Sequence, residues 1–167
     1  MSGTVRRSQL AVTHVMLSVN VVLKRVSALA SYAMALKWYS VVVDSHDLHA
    51  QARWWADVLD WQLAFEADDE AAIVPKHAED QQISAEEWTR IGPGLVFVAV
   101  PEGKAVKNRL HIDLAPHTTD DRDALIESLL ARGATKADVG QDDSKASWTV
   151  LADPEGNEFC VLSARDR

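Results

Sequence analysis

Asp153-Pro154-Glu155-Gly156-Asn157-Glu158-Phe159-Cys160-Val161 carries the clearest structural signal in the chain. Pro154 fixes φ at about −65° and Gly156 admits φ > 0, so Leu151 and Phe159 flank a tight hairpin between two strands. Turn chemistry alone accounts for Asp153, Pro154 and Gly156. The hairpin aims Glu158 toward a pocket, and period-two alternation puts Cys160 on the face of Glu158.

Outward from this hairpin a pattern appears twice. Ala137–Val139, Ser147–Leu151 and Glu158–Leu162 read as strands. Before them, Thr118 or Thr119 caps a helix over Asp121–Ala131, with Leu125, Ile126, Leu129 and Leu130 as its apolar face and Gly133 at its C-terminal end. Arg109–Leu114 alternates as the strand that opens the unit. The first half repeats the order. Trp38–Val43 is a strand, and Asp47 caps a helix to about Leu59 whose stripe is Leu48, Ala52, Trp55 and Leu59. Trp61–Phe65 and Ala71–Val74 are strands around the acidic turn Asp68-Asp69-Glu70. Residues 76–94 form a loop with a helical turn near Ala85–Trp88, and Leu95–Val100 is a buried strand. Ser40 to His111 spans 71 residues and Asp47 to Thr119 spans 72, so a βαβββ unit recurs at nearly constant offset.

The chain has 167 residues, 17 basic and 25 acidic, for a net charge of −8. A length near the usual domain size predicts one domain with a substantial core. The acidic balance excludes nucleic acid and anionic membranes as natural partners, because phosphate binding needs concentrated Lys and Arg. The lone cysteine excludes an internal disulfide and a multi-cysteine zinc site, and suits a reducing, cytoplasmic setting.

Charge is unevenly placed. Residues 1–36 hold Arg6, Arg7, Lys24 and Arg25 and no acid, leaving 13 basic against 25 acidic side chains, net −12, in the remaining 131. The boundary separates an N-terminal extension, residues 1–34, helical or loosely ordered, from a domain over residues 35–167. Leu10–Leu23 is too short for a spanning helix, which needs about 20 apolar residues. Three readings stay open for the extension. It is a segment upstream of a natural start at Met34, an amphipathic helix that docks, or an export signal using Arg6-Arg7 and Ala28-Leu29-Ala30.

Asn108-Arg109-Leu110-His111-Ile112-Asp113-Leu114, together with the 153–161 stretch, resembles the glyoxalase-like members of the vicinal oxygen chelate superfamily, which also holds bleomycin-resistance proteins and extradiol dioxygenases. Val41–Trp61 is similar to that family's first strand and helix, so the likeness covers residues 35–163. It implies an α+β fold of two βαβββ modules forming a curved mixed sheet with a concave cavity, helices on the outer face, and a homodimer.

In metal-using relatives four side chains from the first, fourth, fifth and eighth strands hold a divalent ion that chelates neighbouring oxygens of the substrate. The resemblance carries the fifth position onto His111 and the eighth onto Glu158. The first falls on Ser40, a poor ligand, and Leu95–Val100 offers none. Two of four positions argue against a resident metal, since catalytic sites usually keep three protein ligands. The expectation is a domain without cofactor, with a divalent ion on His111 and Glu158, completed by His46, His49, Asp44 or Asp113, as the alternative.

Without a metal, His111 and Glu158 form an acid/base pair or a structural strand pair in which Glu158 or Asp113 satisfies His111. Trp38, Ser40, Asp113, Trp148 and Cys160 are the candidate pocket residues, with core packing the leading role for Trp148 and Trp55. Lys104, Lys107 and Arg109 read as a solvated basic loop. Three functions follow: an enzyme acting as lyase or isomerase on an α-oxygenated substrate, a non-catalytic protein sequestering a drug or metabolite, and a structural or regulatory dimer. The −12 domain favours a cationic ligand for the second.

Overall fold

The computed structural model describes residues 37–78, 90–141 and 146–166, with Trp38–Arg167 as one compact unit. The expected helical turn near Ala85–Trp88 and the N-terminal extension lie outside the described residues. Among those residues no helix is long and apolar enough to cross a membrane.

The first module runs β1 (Ser40–Ser45), α1 (Leu48–Leu59), β2 (Trp61–Glu66), β3 (Glu70–Pro75) and, after a 3-10 turn at Lys76–Ala78, β4 (Gly94–Ala99). The second runs β5 (Ile112–Leu114), α2 (Arg122–Ala131), β6 (Thr135–Lys136), β7 (Thr149–Ala152) and β8 (Glu158–Val161). The eight strands form two four-stranded mixed sheets, ordered β1-β4-β3-β2 and β5-β8-β7-β6. In each, the first strand pairs in parallel with the last, and the other neighbours are antiparallel. The α+β architecture of two βαβββ modules is therefore as the sequence implied.

Local chemistry sets the helix ends. The Asp47 carboxylate accepts from the Ala50 N–H at 3.1 Å, as the sequence predicts, and Asp60 closes α1 in the left-handed region, which a short polar side chain tolerates. The second cap differs from expectation. Asp121 accepts from the N–H groups of Asp123 and Ala124, because Thr119 Oγ1 is engaged with His117 Nδ1 at 2.8 Å. Gly133, at φ +102°, follows Arg132, the C-cap of α2, and turns the chain so sharply that pairing with β7 begins at Thr135, not at Ala137. Ala137 keeps one bond, from its N–H to Val150 O, and the ladder ends there.

One core joins the modules. Leu48, Ala52 and Trp55 of α1 pack with Ile73, Leu95 and Phe97 of the first sheet and with Leu151, Phe159 and Val161 of the second. Trp55 is 2% exposed, and Trp54 beside it covers a neighbouring element: its ring meets Phe159 at 5.9 Å and its Nε1 donates to Arg132 O. Trp148 departs from the core reading. It lies just before β7 and is 42% exposed.

Candidate functional site

The 153–161 hairpin reaches both ways. Its turn holds the first module, and its strand opens the candidate site. Gly156, at φ +86°, lets the chain reverse so that Glu155 points back to the start of α1. Glu155 accepts from Ser45 Oγ at 2.9 Å and from the N–H groups of His46 at 3.0 Å and Asp47 at 2.6 Å. Asp153 does more than shape the turn. Its buried carboxylate accepts from Gln51 Nε2, Trp55 Nε1, the Asn157 amide and the backbone of Glu155 and Asn157. Burial raises its carboxyl above the ordinary value, and hydrogen bonds led by those from Asn157 offset that only in part.

Beyond the turn, residues of β8 alternate. Phe159 and Val161 face the core, while Glu158 and Cys160 face the other way. The register pairs Ile112 with Phe159 and Asp113 with Cys160, so His111 lies one step before the ladder, at the level of Glu158. The expected strand over Arg109–Leu114 is cut to Ile112–Leu114, because the residues before it turn onto Glu158 rather than extending.

Asn108 makes that turn. Its N–H donates to Glu158 Oε2 at 3.0 Å, and Lys104 Nζ lies 3.0 Å from the same oxygen. The Asn108 side chain is satisfied at both ends when its nitrogen donates to Oε2 and its oxygen accepts from the Glu158 N–H, both at 3.3 Å. His111 meets neither Glu158 nor Asp113 through its ring; Nε2 bonds the Asn108 carbonyl at 3.2 Å. Asn108 is thus the link between the two candidate residues, and the side chain of Lys104, read from sequence as solvated, is 19% exposed in its ion pair with Glu158. Burial works to raise the Glu158 carboxyl, but the Asn108 amide and the Lys104 ammonium outweigh it and hold it below the usual range.

Cys160 is buried beside Asp113. Burial first, then the Asp113 carboxylate, push the thiol up, and Lys107 opposes them. Ser40 begins β1 and is half-buried. Trp38 is 69% exposed, its Nε1 donating to Ser40 O at 3.2 Å.

These donors do not fit a divalent ion. Among the described residues no group of three His, Cys, Asp or Glu side chains converges, and β4 presents only apolar residues. The best candidate ligand, Glu158, already has Oε2 committed to a cation and an amide.

A family model described as a glyoxalase-like domain matches residues 40–162. A glyoxalase/bleomycin resistance protein/dioxygenase family enzyme from Burkholderia phytofirmans PsJN aligns at TM-score 0.53 and 19% identity, over 78% of this chain and 100% of that one. The fosfomycin resistance protein FosX from Listeria monocytogenes, solved with Mn(II) and 1S,2S-dihydroxypropylphosphonic acid, aligns at TM-score 0.56 and 10% identity, over 79% and 93%. No curated protein sequence matches the chain.

Proposed function

Because the chain belongs to the glyoxalase-like domain family, we propose that it binds a small organic molecule on the sheet face carrying Glu158 and Cys160, without a resident metal. One observation carries this reading: the carboxylate that the family likeness puts in a metal-ligand position is bound instead by Lys104 and the Asn108 amide. An incoming ion would have to displace an ammonium and a backbone N–H from that oxygen, with too few further donors in return. The excess of acid after residue 36 favours a ligand of positive charge. A homodimer and a cytoplasmic setting belong to this reading, and a light-scattering mass checks the first.

A second reading makes the domain a lyase or isomerase with His111 as base. It has its own support. The Asn108 carbonyl can only accept, so His111 Nε2 carries the proton and Nδ1 is the basic nitrogen of the neutral ring.

A thermal-shift screen of cationic and α-oxygenated small molecules, run with EDTA and again with Mn²⁺ or Zn²⁺, separates these readings. Binding that raises Tm equally with EDTA supports the metal-free site. A shift that needs the ion, or stoichiometric metal lost in His111→Ala, overturns it. Turnover abolished by His111→Ala while ligand binding persists would establish the enzyme.

A further inference from the structure

We propose that residues 101–111, the connection between the modules, form a strap closed over the non-core face of β8 by one carboxylate, Glu158, and that its release uncovers the Cys160 thiol. The ligand-gating meaning of such a strap rests on the function proposed above; the strap itself does not.

Three observations converge. Among the described residues, every hydrogen bond and ion pair that ties this segment to the second sheet ends on Glu158, from Lys104 Nζ, the Asn108 N–H and the Asn108 side chain. The large apolar side chains of the strap face solvent: Val106 is 79% exposed and Leu110 86%. Finally, the face of β8 that carries Glu158 is covered although it does not join the core. Val150 and Cys160 are paired across β7 and β8 and stand outside the core cluster, yet are only 5% and 7% exposed. On the matching face of the first sheet the central-strand residues Ala72 and Val96 are half-buried, and Val42 and Phe65 on the edge strands are 59% and 52% exposed.

A latch built this way has a definite weak point. Two charged groups, the Asn108 backbone N–H and its side-chain amide supply the closure, so neutralising either charged group removes its strongest contact and loosens the segment. No apolar anchor replaces them, since the strap's own large apolar side chains point to solvent.

Cys160 is the chain's one cysteine, so thiol labelling of the full-length protein reads this position alone. The rate is measured with a small reagent, methyl methanethiosulfonate, and a bulky one, a polyethylene glycol maleimide. Their ratio cancels the thiolate fraction, which the substitutions themselves alter. In Glu158→Gln and in Lys104→Met the bulky-to-small ratio should rise about tenfold, the factor expected from losing one charge-assisted hydrogen bond. The two substitutions shift the thiol's electrostatics in opposite senses, so a common rise marks opening. Arg53→Ala, remote on α1, should leave the ratio unchanged. An unchanged ratio in both variants, with far-ultraviolet circular dichroism like the parent, overturns the strap. Should the variants fail to fold, hydrogen exchange of the parent decides: protection of the Asn108 amide supports closure, and exchange at the free-peptide rate overturns it. An open strap in the variants with no ligand shift in the parent would sink the ligand reading and leave the strap standing.

Discussion

The backbone N–H of Asp47 donates to Glu155 Oε1 at 2.6 Å across 108 positions of chain, so a turn in the second module caps a helix in the first. The N-terminus of α1 carries unpaired N–H groups and a positive dipole end, and a carboxylate answers both. Ser45, fully buried, has its hydroxyl on the same group. The Asp-Pro-Glu-Gly-Asn turn is therefore a clamp between modules as well as a chain reversal.

Removing that clamp should cost stability without touching the core. Glu155→Ala strands the Ser45 hydroxyl and the Asp47 N–H, and hydrogen bonds to a charged group contribute about 1.5–3 kcal/mol each. The expected outcome is a lower urea midpoint with an unchanged m-value, and Glu155→Gln recovering part of the loss. A midpoint equal to the parent's in Glu155→Ala would remove the clamp from the account.

Asp153→Ala should be more damaging. Gln51 Nε2 and Trp55 Nε1 would lose their shared acceptor inside the protein, at about 1–3 kcal/mol for each buried donor left unpaired. The Trp55 indole would report it directly through a changed emission maximum, which Glu155→Ala should leave in place.

The pH dependence of stability should separate the two carboxylates, which contribute slopes of opposite sign. Glu158 is held below its usual 4.5, so its stabilisation is complete above that value and disappears as pH falls through the lowered folded value. Asp153 is raised above its usual 3.8, so the folded state binds the proton more tightly than the unfolded one, and stability falls as pH rises through the interval above 3.8. Urea midpoints taken between about pH 3 and 7 should therefore lose acid steepness in Glu158→Gln. Asp153→Asn should remove the opposing slope.

Phe159 joins the modules through its ring, 1% exposed, with Trp54 at 5.9 Å and Trp55 at 5.3 Å. Phe159→Ala should lower stability by about 3–5 kcal/mol. Both halves should unfold in a single transition in the parent; two separate transitions there would contradict a shared core.

The modules and their order are legible in short-range patterns of the chain. Aromatic, β-branched and apolar runs marked β1 and β4, alternation marked β5 and β8, the spacing of Leu48, Ala52 and Trp55 marked the buried stripe of α1, and Asp47 marked its start, because these signals reside in neighbouring residues. Boundaries moved where a side chain found a different partner: Thr119 was taken by His117, and Asn108 by Glu158. His111 and Glu158 were legible as site candidates and do fall at one level of adjacent strands. What each carboxylate holds emerges only when the modules pack. Glu155 and Glu158 lie three residues apart in one turn, yet one caps a helix of the other module and the other takes Lys104 and Asn108. Spacing cannot tell them apart, because their partners lie from about 50 to 110 residues away and meet them only when the sheets and helices pack.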